Sequence, residues 1–196
     1  MIWGHGVEIF RVILFLGLVL HKLLWEVLKK RDKDSRVRQQ SSKGPGRSPI
    51  KFAKGIVLVF LAFQTLFLDL FPISDQPTSL RTIGTAIYVV GLATAMIGRV
   101  QLGKNWVDLE DSQLLPEQSL VMNGLYRYVR HPIYVGDILL LVGLELALNS
   151  WLVLGVSIPL LIVIRQASAE EALLSRAFPD YDAYCKRTKR FIPFIT

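Results

Sequence analysis

Five apolar runs alternate with polar segments along the chain, at residues 8–28, 54–72, 81–102, 133–148 and 151–168. A helix needs roughly 20 apolar residues to cross the hydrocarbon core of a bilayer, and most of these runs approach that length. The fourth and fifth runs are separated only by the polar positions around Asn149, which predicts a tight helical hairpin. The pattern therefore predicts an all-α integral membrane protein with about five transmembrane helices.

The polar segments predict how these helices are oriented. Residues 29–54 carry ten of the 23 lysines and arginines, and cytoplasmic loops are enriched in such residues. Alternation from this loop places the N-terminus outside and the C-terminus, with its "CKRTKR" run, in the cytoplasm. Within the loop, residues 31–49 are charged and then rich in Gly, Ser and Pro, which predicts a flexible linker. We divide the chain into two N-terminal membrane helices, residues 1–80, and a core, residues 81–196.

Composition agrees with a membrane protein and narrows its partners. The chain is 52% hydrophobic, has a mean hydropathy of +0.40 and carries a net charge of +7. A surplus of basic residues is also typical of nucleic-acid binding. Here these residues lie in the predicted cytoplasmic segments, where they orient the helices and can bind anionic lipid headgroups. We therefore predict membrane lipids, and no nucleic acid, as partners. Cys185 is the single cysteine, which excludes an intramolecular disulfide and a two-cysteine metal site.

Glycines recur every seven residues in the third run, at Gly84, Gly91 and Gly98, and again in the fourth, at Gly136 and Gly143. This spacing puts them on one face of a helix. Small residues on one face allow either a neighbouring helix or a flat ligand to approach closely. The sequence leaves both interpretations open.

Charged residues within apolar runs are candidates for function because they are costly at membrane depth. For Asp69 and Glu145 a solvated outer interface is the simpler explanation. Arg99 and Arg165 lie near the predicted cytoplasmic ends of their helices, where the topology also places "RYVRHPIY" at residues 127–134, the pair Glu170 and Glu171, and the aromatic tail. We therefore predict a site at the cytoplasmic interface, with basic groups for an anion and with carboxylates and aromatic rings for a cation.

His131 and Pro132 mark a change in backbone structure. Proline disfavours helical geometry at the preceding residue and suits the first turn of a helix, so an extended approach should become a helix at Pro132. His131 by itself could be a general base, a metal ligand or a structural hydrogen-bond donor. No second histidine or carboxylate at ligand spacing accompanies it, so we predict no metal site. The tail predicts a helix to Ala177, a break at Pro179 and a short amphipathic segment.

Sequence signatures of several nucleotide-binding and hydrolytic sites are missing. There is no G-x-G-x-x-G after a strand, no G-x-x-x-x-G-K-[ST], no G-x-S-x-G and no H-E-x-x-H. Neither a Rossmann site nor a P-loop is supported.

Two segments carry a family resemblance. "NGLYRYVRHPIYVG", residues 123–136, fits the signature G-x-Y-x-x-x-R-H-P-x-Y-x-G, and "EEALLSRAFPDYDAY", residues 170–184, supplies a downstream E-E and F-P-x-Y-x-x-Y. Together they resemble the isoprenylcysteine carboxyl methyltransferase family and its phospholipid methyltransferase relatives, over residues 81–196. The chain is shorter than the larger eukaryotic members, which places it closer to compact microbial relatives.

The resemblance implies an integral membrane enzyme that transfers a methyl group from S-adenosylmethionine, in a cofactor pocket formed by the last two membrane helices and the C-terminal segment. It implies cofactor contacts at Tyr126, Arg130, His131, Pro132, Tyr134, Gly136, Glu170 and Glu171. The acceptor it implies is a lipophilic or lipidated carboxylate, similar to prenylcysteine. A multi-pass location in a cell membrane fits this interpretation; the oligomeric state is left open, and a monomer would suffice.

The chemistry of the acceptor separates the alternatives. A carboxylate is already a nucleophile at neutral pH, so Arg99 and Arg165 would hold it and Glu171 would orient an arginine or the cofactor. A lipid amine would instead need deprotonation, which gives Glu170, Glu171 or His131 the role of a base. An NADPH-dependent membrane reductase and a non-enzymatic scaffold or transporter remain as further hypotheses.

Overall fold

The computed structural model of the protein describes residues 5–36, 48–106 and 118–193. Six α-helices follow one another: α1 (His5–Arg36), α2 (Ser48–Phe67), α3 (Thr78–Leu102), α4 (Pro132–Ala147), α5 (Ser157–Ala177) and α6 (Tyr181–Arg187). Short 3-10 turns occupy Gly103–Asn105, Gly124–Arg127 and Trp151–Val156. The described residues contain isolated β-bridges but no strand, so the prediction of an all-α fold is confirmed.

A helix is present at each of the five apolar runs, but five transmembrane spans are not confirmed. Within the described residues, only Thr78–Asn105 and Trp151–Ala177 are both long and apolar enough to cross a membrane. The apolar part of α2, Lys54–Phe67, is shorter, and the 16 residues of α4 extend only about 24 Å. Large apolar side chains on α1, α2 and α5 are nevertheless exposed, as expected for helices that face lipid.

Helices α3 and α4 form the centre of the fold, and glycines set their separation. A Cβ atom added at Gly91 would lie 2.3 Å from the backbone nitrogen of Leu140, and one at Gly143 would lie 2.2 Å from that of Tyr88. The backbones of α3 and α4 are therefore in direct contact at these positions, and only glycine leaves room for this. The glycine stripe serves helix packing, which decides between the two interpretations of the sequence.

Helix α1 packs against this pair through an apolar cluster. Leu14 and Leu18 of α1 are buried with Tyr88, Leu140 and Leu144. The hydroxyl of Tyr88 donates a hydrogen bond to the carbonyl of Leu14 at 2.7 Å, which satisfies a polar group in an otherwise apolar interface.

The linker prediction needs correction at both of its ends. Residues 29–36 are helical as part of α1, and α2 begins at Ser48, so the region predicted as a flexible linker is partly helix. Lysine and arginine are good helix formers, which lets α1 continue beyond its apolar stretch. The remaining linker positions, residues 37–47, lie outside the described residues.

Helix α2 ends at Phe67 rather than near residue 72 because its last turn is capped by a side chain. Arg11 of α1 is buried and donates to the carbonyls of Thr65 and Leu68, at 3.0 Å and 3.1 Å, and to the carboxylate of Asp69. These bonds satisfy carbonyls that the end of a helix leaves without partners.

Glu145 is buried rather than solvated, which contradicts the outer-interface explanation. Only 4% of it is exposed, and its carboxylate accepts a hydrogen bond from the amide of Gln64 at 2.8 Å. A buried carboxyl needs such a donor, and α2 supplies it.

The connection after α4 is as short as predicted, but α5 packs little against α4 beyond it. Asn149 adopts a positive φ of 59°, and its side chain exchanges hydrogen bonds with the backbone of Ser74 at 2.7 Å and 3.0 Å. A 3-10 turn then leads into α5, which approaches α4 little and has most of its apolar surface exposed. Residues of α4 and α5 both line the site described next.

Candidate active site

The approach to α4 is held by the C-terminal segment of the chain. Backbone N–H groups of Arg130 and His131 donate to the carbonyls of Lys189 and Arg190, at 2.8 Å and 3.2 Å, and Lys189 donates back to Tyr128 at 3.0 Å. Pro132 opens α4, so the predicted helix start is confirmed, as is the end of α5 at Ala177 followed by a short helix after Pro179. The approach is extended only in part: a 3-10 turn occupies Gly124–Arg127, Val129 forms an isolated bridge with Lys189, and His131 has φ −125° and ψ 57°.

Glu171 lies at the centre of this junction. Its Oε1 atom is 2.8 Å from Nε of Arg130 and 3.1 Å from Nε2 of His131, while its Oε2 atom accepts from Arg190 at 3.0 Å. The hydrogen bonds to Glu171 raise the pKa of Arg190 above its usual value. Arg130 also donates to the carbonyl of Thr188 at 2.7 Å. Glu171 therefore joins α5 to both the approach segment and the tail.

Glu170 has a different environment from its neighbour. It accepts a hydrogen bond from the hydroxyl of Tyr134 and one at 3.4 Å from the amide of Gln166. Nδ1 of His131 lies 3.6 Å from its Oε2 atom, and 34% of the Glu170 side chain is exposed. No arginine or lysine pairs with Glu170 among the described ion pairs, and its side chain lines the adjoining space.

That space is a cavity of ≈ 160 Å³ between the end of α3, the start of α4, the second half of α5 and α6. Glu170, Arg130 and His131 form its polar wall. Aromatic residues surround them, namely Trp106, Tyr126, Tyr134, Tyr181 and Tyr184. Apolar side chains at Leu102, Ile133, Leu173 and Leu174 also line it, together with residues 118–121 and the positions Asn105, Gln166 and Ala169.

Tyrosine hydroxyls near the cavity are neutral hydrogen-bond donors. The hydroxyl of Tyr184 donates to the carbonyl of Tyr126 at 2.7 Å, and that of Tyr126 donates to Gly98 at 3.3 Å. Burial raises the pKa of Tyr184 to about 12 and raises those of Tyr126 and Tyr181 as well. The buried hydroxyl of Tyr181 forms no described hydrogen bond, and the thiol of Cys185 lies near it.

Arg99 lies behind the cavity wall rather than in it. It is fully buried, and its Nη2 atom is 2.6 Å from the carboxylate of Asp32 on α1. Its guanidinium carbon lies 4.4 Å from the centre of the Trp106 ring, and Trp106 is the residue that faces the cavity. Arg99 therefore does not contribute to the lining of the cavity.

Three other residues selected from the sequence also lie away from the cavity. Arg165 is on the exposed surface of α5 and does not contribute to the lining. A Cβ atom on Gly136 would be 2.3 Å from the backbone of Ala95, which assigns this glycine to the α3–α4 interface. Pro132 is buried at the first turn of α4, where its ring fixes the backbone conformation that starts the helix.

Several residues at the site were not identified from the sequence. Gln166 lies four positions before Glu170 on α5, so helical periodicity could have placed both on one face. From the sequence, Arg190 was interpreted only as part of the basic "CKRTKR" run. Asp32 lies among so many charged residues that no local pattern distinguishes it.

Comparisons with known proteins place this geometry in a family. Residues 80–181, more than half of the chain, match the phospholipid methyltransferase family. The nickel-cobalt-cadmium resistance protein NccN of Alcaligenes xylosoxydans xylosoxydans is 34% identical over 119 residues, which cover 58% of this chain and 53% of NccN. The protein-S-isoprenylcysteine O-methyltransferase of Schizosaccharomyces pombe is 34% identical over 99 residues, which cover 49% of this chain and 42% of that protein.

A solved structure has a similar fold. The eukaryotic intramembrane Ras methyltransferase ICMT superposes with a TM-score of 0.54 at 23% sequence identity, over 76% of this chain and 54% of that one. The chain spans about half the length of the curated relatives it matches. These comparisons do not support the reductase hypothesis. They confirm the resemblance found in the sequence, and the chain belongs to the phospholipid methyltransferase family.

Proposed function

We propose that this chain transfers a methyl group from S-adenosylmethionine to the carboxylate of a lipophilic, prenylcysteine-like molecule at the cytoplasmic surface of a cell membrane. The observation that carries the proposal is the cavity in which Glu170 meets a ring of aromatic side chains beside Arg130 and His131. Family membership supports methyl transfer as the reaction.

The cavity residues fit the proposed cofactor. S-adenosylmethionine supplies a methyl group on a positively charged sulfur, and it also carries a carboxylate. Glu170, whose charge no arginine or lysine pairs with among the described ion pairs, suits the cation together with the tyrosine faces. The unpartnered hydroxyl of Tyr181 suits a hydrogen-bond acceptor, because a buried donor without a partner is costly.

Four of the proposed cofactor contacts line the cavity besides Glu170: Tyr126, Arg130, His131 and Tyr134. Arg130 would attract the cofactor carboxylate while Glu171 fixes its guanidinium through the 2.8 Å bond. Glu171 is thus proposed as an orienting residue. Its charge is balanced by Arg130 and Arg190, and His131 shares a hydrogen bond with it, which leaves Glu170 as the carboxylate that lines the cavity.

The acceptor would reach the cavity from the lipid side. Apolar side chains of α4 and α5, including Ile133 and Leu173, line the cavity where these helices diverge. Such a surface suits a hydrocarbon chain and excludes water, and a desolvated carboxylate is a stronger nucleophile. Methylation of a carboxylate then requires alignment with the methyl group at about 3 to 3.5 Å and no general base.

A lipid amine is the second candidate acceptor, and the position of Glu170 favours it. An ammonium group must lose a proton before it attacks, and Glu170 is a carboxylate that faces the cavity. His131 is less suited to this role because Nε2 is held by Glu171.

Titration calorimetry of S-adenosylmethionine into the detergent-solubilised protein tests donor binding. We expect saturable binding that Glu170→Gln weakens about tenfold, or 1.4 kcal/mol. Glu26→Gln is the matched control, since Glu26 is an exposed carboxylate paired with Lys22 on α1. A folded protein that binds no donor would contradict the proposal.

The acceptor class is tested by methyl transfer in liposomes that contain either farnesylcysteine or phosphatidylethanolamine. A methyl ester releases methanol in base, whereas a methylated amine does not. Base-labile product from farnesylcysteine, still formed by Glu170→Gln at saturating donor, supports the carboxylate. Base-stable product from phosphatidylethanolamine that Glu170→Gln abolishes supports the amine instead.

A further inference from the structure

We propose that Asp32 of α1 is a positioning residue for the cavity, because it fixes the wall residue Trp106 through Arg99. This inference rests on the proposed function and adds to it a role for the N-terminal helix, which lies outside the family-matched residues 80–181. Asp32 is 67 positions from Arg99 in the sequence, and the fold brings them to 2.6 Å.

Both side chains of the ion pair between Asp32 and Arg99 are buried. The side chain of Arg99 is 0% exposed and that of Asp32 is 6% exposed. A buried guanidinium without a partner is strongly unfavourable, and the Nε atom of Arg99 has no hydrogen-bond partner among the described residues. Asp32 is therefore the group that keeps the cation of Arg99 inside the protein.

Arg99 in turn contacts Trp106 in two ways. Its guanidinium lies 4.4 Å from the ring centre, within the range of a cation–π interaction. Its Nη1 atom also donates at 3.1 Å to the carbonyl of Gly103, which accepts the backbone N–H of Trp106 at 3.2 Å. The side chain and the backbone of Trp106 thus depend on where Arg99 sits.

A second residue of α1 also contacts the Trp106 ring. The ammonium group of Lys29, one turn before Asp32, lies 5.9 Å from the centre of the Trp106 ring. Because Trp106 lines the cavity, the end of α1 determines the position of one of its walls.

A double-mutant cycle between Asp32 and Trp106 tests the inference, with donor affinity as the readout. We expect Asp32→Asn to weaken S-adenosylmethionine binding about tenfold and Asp32→Glu to restore it to within about threefold. In a Trp106→Ala background, Asp32→Asn should change the affinity less than about twofold. Equal effects of Asp32→Asn in both backgrounds would overturn the inference.

A second readout does not depend on the donor. In a chain that keeps Trp106 and carries phenylalanine at the other three tryptophan positions, acrylamide quenching of Trp106 should increase with Asp32→Asn and remain unchanged with Glu26→Gln. Unchanged quenching in Asp32→Asn would overturn the inference. If the parent chain binds no donor, the proposed function fails while quenching still tests the link from Asp32 to Trp106.

Arg99→Lys provides a substitute if Asp32→Asn does not fold. It keeps a cation opposite Asp32 but removes the planar group from the Trp106 ring. We expect weaker donor binding and greater quenching than in the parent chain. A donor affinity or a degree of acrylamide quenching equal to that of the parent chain contradicts the proposed arrangement.

Discussion

The carboxylate of Glu171 lies 2.8 Å from the Nε atom of Arg130, although 41 positions separate the two residues in the sequence. Both side chains are mostly buried, with exposures of 12% and 14%. Through this contact α5 is fixed to the segment that leads into α4, and the carbonyls of Cys185 and Thr188 join the tail to the same arginine.

Replacement of Arg130 should therefore destabilise the fold as well as the site. We expect Arg130→Ala to lower the free energy of unfolding by about 2 to 3 kcal/mol, since His131 and Arg190 still compensate Glu171 in part. Denaturant unfolding in detergent measures this. Lys22→Ala removes an exposed ion pair on α1 and should cost less than about 1 kcal/mol. Equal costs for the two variants would contradict a central role for Arg130.

The α3–α4 contact should tolerate no side chain at Gly143. A Cβ atom there would lie 2.2 Å from the backbone of Tyr88, and a backbone cannot move as a side-chain end does. We expect Gly143→Ala to destabilise by about 2 kcal/mol or more.

Gly55 of α2 is the matched control for this prediction. It has nothing within 4 Å of an added Cβ atom, so Gly55→Ala should stabilise the helix by up to about 1 kcal/mol. Thermal unfolding followed by circular dichroism compares the two variants. A stable Gly143→Ala protein would show that the helices separate easily.

Tyr181 should contribute to ligand binding through its hydroxyl alone. Because that group is buried in the cavity wall without a partner, Tyr181→Phe should weaken S-adenosylmethionine binding about five- to tenfold and leave stability unchanged or slightly raised.

Tyr88→Phe is the control for Tyr181. It removes a buried hydroxyl that donates to Leu14 away from the cavity, so it should lower stability by about 1 kcal/mol without affecting the donor affinity. Calorimetry and thermal unfolding of both variants separate the two roles. Unaltered affinity in Tyr181→Phe would show that its hydroxyl does not contact the donor.

The buried tyrosines predict a loss of stability in alkaline solution. Burial raises the pKa of Tyr184 from its usual value of 10.0 to about 12, so the folded state disfavours the tyrosinate. The resulting stability is fully present below pH 10 and is lost as the pH rises toward 12, at up to about 1.4 kcal/mol per pH unit for each such group.

Unfolding free energies measured from pH 8 to pH 11.5 test this slope. Tyr184→Phe should reduce the slope above pH 10, although it costs about 1 kcal/mol at pH 8 because the bond to Tyr126 is lost. A slope that is identical with and without Tyr184 would exclude its contribution.

Features that depend on neighbouring residues could be predicted from the sequence. Apolar runs predicted the helices, Pro132 predicted where α4 begins, and Pro179 predicted the break before α6. Backbone preferences of proline and the period of apolar positions act over a few residues, so a single sequence contains them in full. The combined motif also identified the family and four cavity residues besides Glu170.

Which charged groups meet could not be predicted from the sequence, because it depends on how the helices pack. Arg99 was selected as a site residue because it lies near the predicted cytoplasmic end of its helix, yet it is paired with Asp32. Gly136 was selected because it matches the family motif, yet it packs on Ala95. Adjacent glutamates likewise differ: Glu171 is enclosed by cations and Glu170 faces the cavity. Such pairings depend on the rotation and separation of helices that are distant in sequence, and close packing across the whole bundle fixes both quantities.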